Sequence, residues 1–448
     1  MFGVVAIAIS VATAHGTTSG AATRKTTAKR RTSTTQPAST TTPTTPTAPT
    51  APTTTTTAVS TTTPVSAFPK IDPRAYVNAV FDHMDKVSIR RRVVDLVALR
   101  TKTLAATSTA TSSADTYPAV REAIAALGDP HASFFGPVQS NALLNGTSTA
   151  FGLQILGGSV LFVVPDGPAD RAGLRDGDVL ADVNGKPYGP TKITDLGDTV
   201  KFGIRRGIAG ERIEVTVTKG VVTTSYLPKV RALDDRLAVI ELPGATGTKE
   251  AQKRFLTAAI DGIEALDSTT RCGWVIDLRR NTGGFPYATL AAAAPLLGDG
   301  IVGGSADIDD HVERWSLRDG SVLVGEQKVE SARPYKLRRP DAALAILTSS
   351  LTASAGERVT IAAIGRGSNR SFGAPTAGLT SSTLLQSFVD GSAVAVTTSF
   401  DVDRFGVPYP KPIAPDEPIA VDWFRFGRLD DPVIVAATSW LRSQTACQ

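Results

Sequence analysis

Between residues 73 and 127 apolar side chains recur at three- and four-residue spacings: Tyr76, Val77, Ala79, Val80 and Phe81, then Val93, Val94, Leu96, Val97 and Leu99. That period predicts helices. A further helical stretch runs from Tyr117 to Leu127 and ends at Gly128, a favourable terminator. After a small polar loop the pattern shortens to strands at 151–155, 160–164 and 179–183, with a short helix over 167–174 and another alternating strand at 213–217. From Tyr226 onward strands and helices alternate. Apolar runs at 237–242, 274–278 and 343–347 read as buried strands, and 249–266, 287–297, 354–364 and 433–441 as helices. In the first of these helices Phe255, Leu256, Ala259, Ile260 and Ile263 share one face. Segments 384–389 and 393–398 flank Asp390-Gly391 as a hairpin. Such alternation predicts an α/β core, with helices layered on a mostly parallel sheet.

The first 66 residues behave differently, since 24 of them are threonine and none is acidic. Residues 4–14 form a short apolar run ending in Ala12-Thr13-Ala14, which fits a signal-peptide cleavage site, although no basic residues precede it. At 15–66 the Thr/Pro/Ala-rich composition cannot repay the entropy of ordering, so a disordered, semi-extended linker is predicted. Its five basic residues, Arg24, Lys25, Lys29, Arg30 and Arg31, account for the whole net charge of +5. The remainder is formally neutral, which argues against a nucleic-acid surface. The basic cluster suits peripheral contact with an anionic envelope, or simply a solvated linker. Together these features point to a secreted or envelope protein. Two cysteines, Cys272 and Cys447, read by default as isolated thiols, with one disulfide as the alternative. No metal-ligand spacing occurs.

Residues 148–222 resemble a PDZ domain, through Phe151-Gly152-Leu153-Gln154-Ile155, the run 167–180 and Val183-Asn184-Gly185. Such a fold offers a strand edge and free N–H groups at Phe151, Gly152 and Leu153 to an extended peptide and its terminal carboxylate. The alternative is a spacer with no peptide grip. Phe202–Arg206 falls near the expected groove helix, where its basic residues form a solvated face or else suit an acidic or C-terminal ligand.

Two strand-to-loop junctions carry chemistry. In Asp277-Leu278-Arg279-Arg280-Asn281-Thr282-Gly283-Gly284 a buried strand meets paired glycines that let backbone N–H groups approach a ligand closely. In Thr348-Ser349-Ser350-Leu351-Thr352-Ala353-Ser354-Ala355-Gly356-Glu357 the serine falls at a helix start, where free N–H groups and the dipole favour a developing anion. With the PDZ-like insertion, Ala414-Pro415-Asp416 and Asp431-Pro432, these motifs resemble the C-terminal processing (tail-specific) peptidases over nearly all of 71–445.

The resemblance implies a layered α/β serine-peptidase core of the ClpP/crotonase-like kind at 223–448, the PDZ-like β-rich domain inserted at 148–222 and an N-terminal helical segment at 67–147. It makes Ser354 the nucleophile, with an oxyanion hole from Ala355 and Gly283 or Gly284. Many members use a lysine in a Thr-x-Gly-Lys-Gly setting, but here the stretch is Thr376-Ala377-Gly378-Leu379-Thr380, and Leu379 takes no proton. A second branch, that of the tricorn core protease and the nisin resistance protein, has a Leu-Gly-Asp-x-His segment. Leu127-Gly128-Asp129-Pro130-His131 matches it, making His131 the general base. Asp277 and Arg279 read as structural partners and Glu357 as a support of the helix start. The third group that orients His131 is not identifiable. The expected activity is an exported serine endopeptidase acting on protein or peptide substrates, gripped by their C-termini and needing no cofactor or metal. The rival is an inactive peptide- or lipid-binding protein on the same scaffold.

Overall fold

Three apolar runs that the pattern marks as buried, Leu237–Glu241, Gly273–Asp277 and Ala343–Thr348, lie side by side and parallel, and Asn369–Gly373, which the pattern does not mark, continues them. Lys229–Ala232 adds antiparallel at one edge and Glu417–Pro418 parallel at the other, giving a six-stranded sheet. The computed structural model describes residues 71–189, 196–207, 210–223, 226–270 and 272–447, plus the two-residue strand Ile7–Ala8, which runs parallel to Gly283–Gly284. The linker 15–66 and the remainder of the signal-like segment 1–14 lie outside the described residues.

Both faces of the parallel sheet are covered, so its three central strands are near-continuous apolar runs rather than alternating. Trp274, Ile276, Leu344 and Ile346 meet the helices Lys249–Asp267, Pro286–Leu297 and Ala355–Ala363 on one face. Val275, Ala343, Ala345 and Leu347 meet the helix Pro432–Arg442 on the other. Pro73, Pro137, Pro168, Pro286 and Pro432 each open a helix, where a missing N–H costs nothing.

A second sheet is antiparallel. Its strands Gly300–Ala306, Val312–Arg318, Ser321–Val324 and Gln327–Ser331 form a meander beside the long strand Ala393–Val402. The expected hairpin is present as Ser381–Ser387 paired with that long strand, and Ser133–Phe135 joins the strand's other side at Ala393–Ala395. The N-terminal helices Pro73–Val87, Leu96–Ala106 and Ser113–Ala126 pack through Val80, Phe81, Val120 and Ile124 onto Val394 and Val396. None of the described helices is long and apolar enough to cross a membrane.

The PDZ-like region is a separate antiparallel sheet with its own core of Phe151, Val160, Leu174, Phe202 and Val217. Its entry and exit are stitched together, because Thr147–Ala150 pairs antiparallel with Gly220–Thr223. The strand Leu153–Leu156 stands at the sheet's edge, paired only with Ser159–Val163 among the described residues.

Two expectations are corrected. Arg206 is not open to an acidic ligand. Residues 199–205 form a strand paired on both sides, with Val200, Phe202 and Ile204 inward, and Arg206 is committed to Asp178 through two bonds of 2.8 and 2.9 Å. Cys272 and Cys447 are not isolated thiols but a disulfide closing a separation of 175 residues. The last helix packs on the sheet face beside Cys272, which brings the two sulfurs together. Replacing Cys447 with Ser should lower unfolding stability by about 2–5 kcal/mol, read as a reduced denaturation midpoint, with the parent matching it only in reductant.

Candidate active site

Ser354 sits in the sharp turn between the strand Ala343–Thr348 and the helix Ala355–Ala363, with φ 52° and ψ −108°. A non-glycine residue held there stores of order 1–3 kcal/mol of strain, so its surroundings must over-determine it. They do. The Ser349 hydroxyl donates to Arg279 O (2.6 Å), the Thr352 hydroxyl to Leu278 O (2.9 Å) and the Ala353 N–H to Asn281 O (2.9 Å). Those three bonds tie the serine turn to the loop that carries the glycine pair.

Glu357 completes the clamp from the helix side. Its buried carboxylate accepts from the Ser354 N–H (2.9 Å), the Thr376 hydroxyl (2.5 Å) and the N–H groups of Gly378 (2.8 Å) and Leu379 (2.7 Å). Burial raises its pKa, and these four bonds pull the other way. Glu357 therefore supports the helix start, as the sequence suggests, and also fixes loop 376–379. Leu379, in the position where a lysine would be expected, is buried.

The glycine pair is held as closely. Gly284 has φ 139°, and a Cβ there would fall 2.3 Å from Ala245 O, so no other residue fits. The Gly283 N–H donates to Asn281 Oδ1 (3.1 Å) and is thus already engaged. Gly356 lets the helix approach: a Cβ would meet Asn281 at 3.0 Å. Below the loop, Arg279 is fully buried between Asp277 and Asp431, at 2.7 and 2.8 Å, a structural role that agrees with the sequence reading.

His131 arrives from the other side, on the segment leading into Ser133–Phe135. Asp129 anchors it by accepting the His131 N–H (3.0 Å), the Thr397 hydroxyl (3.0 Å) and the Thr397 N–H (3.3 Å). The imidazole Nδ1 lies 2.7 Å from Ser381 Oγ. Ser381 is the orienting group that sequence reasoning missed. In the tautomer that donates Nδ1–H to this hydroxyl, Nε2 presents a bare lone pair. Burial pushes the imidazole pKa down to about 4, opposed by Asp129 and aided by the Arg358 charge. The ring is therefore neutral at pH 7.

Ser354 Oγ and His131 Nε2 are both buried and neither has a hydrogen-bond partner, so they do not bond each other in this state. One short segment serves both residues, since Glu357 on the serine's helix grips residues 376–379 and Ser381 holds the imidazole. Arg358, next to Glu357, donates to Asp401 (2.9 and 3.1 Å) and to Ser382 Oγ (2.6 Å), joining the serine's helix to the strands flanking His131. Phe151, Gly152 and Leu153 lie elsewhere. Gly152 and Leu153 line a cavity of about 1220 Å³ that also reaches Gly283, while Phe151 is a core residue of the PDZ-like sheet.

The family model described as Peptidase family S41 matches residues 236–419, and the PDZ domain model matches 160–203. Carboxyl-terminal-processing peptidase 2 of Arabidopsis thaliana is 26% identical over 68% of this chain and 62% of its own length. The C-terminal processing peptidase of Tetradesmus obliquus is 29% identical over 66% of this chain and 67% of its own. The chain thus spans about two thirds of the length of these relatives. A lipoprotein structure from Streptococcus agalactiae, 17% identical, shares the fold with a TM-score of 0.55, covering 84% of this chain and 97% of that one.

An NMR titration of His131 should show its transition well below 6.5, near pH 4, with the proton of the neutral ring on Nδ1. Because that pKa is depressed on folding, His131 adds stability above pH 6.5 that is lost as pH falls from 6.5 towards 4. Ser381→Ala should remove the tautomer preference in the ¹⁵N shifts without unfolding the chain.

Proposed function

We propose that this chain, which belongs to the tail-specific, C-terminal-processing S41 peptidase family with an associated PDZ domain, is an exported serine endopeptidase cleaving protein or peptide substrates. One observation carries the reading: a buried hydroxyl and a buried imidazole nitrogen, both without partners, supported by the same segment, 376–382. A scissile carbonyl gives the hydroxyl an electrophile, and the imidazole lone pair takes the proton that the hydroxyl gives up. Ser354 Oγ attacks the carbonyl carbon as its proton passes to His131 Nε2. The oxyanion accepts from the first N–H of the helix, at Ala355, and from Gly284, the Gly283 N–H being held by Asn281. His131 returns the proton to the leaving amine, and water then cleaves the acyl-enzyme with the same imidazole as base. Ser381 holds the ring in the required tautomer through both steps.

The edge strand Leu153–Leu156 gives the substrate tail a backbone ladder to join, and the cavity leads from there towards Gly283. Holding the tail raises the local concentration of the bond to be cut. The parallel strands crossed by covering helices fit a ClpP/crotonase-like core. The apolar run at 4–14 and the Cys272–Cys447 bridge favour an extracytoplasmic location, where disulfides persist, with the basic tail near the envelope.

A fluorophosphonate probe should label the parent at Ser354 and leave Ser354→Ala untouched. His131→Ala should lose at least about 10³-fold in kcat/KM for a peptide substrate while its melting temperature stays close to the parent's. Absent labelling, with saturable binding of an uncleaved ligand, would instead favour a lapsed enzyme. Since neutral His131 is the base, kcat/KM should fall on the acid side with an apparent pKa near 4 rather than 6.5.

A further inference from the structure

The loop between the strand Gly273–Asp277 and the glycine pair carries a second arginine with no part in the scheme above. Arg280 donates from Nη1 to Asp176 Oδ2 of the PDZ-like region at 3.0 Å. Its guanidinium carbon lies 3.6 Å from the centre of the Phe426 ring and 5.5 Å from that of Phe162. The side chain is only 17% exposed, and its Nε and Nη2 are buried with no hydrogen-bond partner. Those two atoms form the edge that receives a carboxylate side-on. Elsewhere in this chain that edge is filled: Arg206 offers it to Asp178, Arg212 to Asp182, Arg279 to Asp277 and Arg358 to Asp401.

Among the described residues no carboxylate fills it for Arg280. Asp277 is committed to Arg279, and Glu241 lies 3.6 Å from Arg231. The second oxygen of Asp176 accepts the Val163 N–H at 2.7 Å. A buried guanidinium with half its donors unmet is costly, and a bound anion relieves that cost. Arg280 also lines the cavity shared by Gly152 and Leu153 at one end and Gly244 and Gly283 at the other.

We propose that Arg280 is a specificity subsite that binds a carboxylate on the peptide lying between the PDZ-like strand edge and Ser354, with Asp176 as the internal competitor for that guanidinium. This rests on the peptidase reading for the identity of the ligand as a peptide. The carboxylate is either an acidic side chain near the tail or the α-carboxylate itself, and the chemistry of recognition is the same. Entry of the ligand requires the Arg280 side chain to swing from under Phe162 and Phe426, loosening its bond to Asp176.

The test measures binding of fluorescently labelled peptides to the full chain carrying Ser354→Ala, so no cleavage is needed. Three peptides of one sequence suffice: a penultimate Glu with a free C-terminus, the Gln equivalent, and the Glu peptide amidated. The first should bind about 10- to 100-fold tighter than whichever peptide lacks the recognised carboxylate. Weakening by Gln assigns the side chain, and weakening by amidation the α-carboxylate. Arg280→Gln should erase the preference, and Arg280→Lys should restore it only in part because the fork is lost. Asp176→Asn, which keeps an acceptor for Val163, should strengthen binding of the acidic peptide. An inter-domain latch with no ligand predicts that Asp176→Asn and Arg280→Gln weaken binding alike. That outcome, or equal affinity for all three peptides in the parent, overturns the subsite. Melting curves report any folding defect in Arg280→Gln, in which case the Asp176→Asn arm decides. Failure of the peptidase reading would appear separately, as absent fluorophosphonate labelling of the unsubstituted chain.

Discussion

The ion pair between Arg358 and Asp401 is the contact on which the site depends. Arg358 belongs to the helix that begins after Ser354, and Asp401 to the long strand against which His131's segment is laid. Both side chains are at most 2% exposed, and the guanidinium also lies over the Trp315 ring at 4.1 Å. Removing one partner of such a pair leaves an uncompensated buried charge, a loss of about 3–5 kcal/mol. Trp315, Leu317 and Val322 of the antiparallel sheet also pack into the parallel core. The same cation adds to the burial that keeps the imidazole neutral.

Ser354 shows how strain is carried. Its backbone lies where side-chain-bearing residues rarely go, and three hydroxyl or amide bonds to the glycine loop and four bonds to Glu357 hold the turn. None of these groups bonds the Ser354 hydroxyl. They form a rigid shell in which that hydroxyl is left without a partner.

Much of this was legible in the amino-acid order, and the exceptions have physical causes. The parallel strands were plain because burial on both faces makes them unbroken apolar runs, as at Trp274–Leu278. Ser354 and His131 stand out as candidates through short motifs with distinctive neighbours. Ser381 was not, because it lies within Thr380-Ser381-Ser382-Thr383, four hydroxyl residues that nothing local tells apart. Arg358 and Asp401 are 43 positions apart and resemble any charged surface residues until the sheets meet. The meander at 300–331 carries glycines at 303 and 304, which blur the strand period. The disulfide spans too much chain for any local signal.

The short ladder joining Thr147–Ala150 to Gly220–Thr223 closes the PDZ-like excursion where the chain leaves and rejoins the scaffold. Because the chain leaves and re-enters the scaffold at hydrogen-bonding distance, the entropy of closing this excursion depends only weakly on what it contains. A different module could be exchanged there during evolution with the parallel sheet and the serine turn undisturbed. The two parts are thereby free to diversify at separate rates.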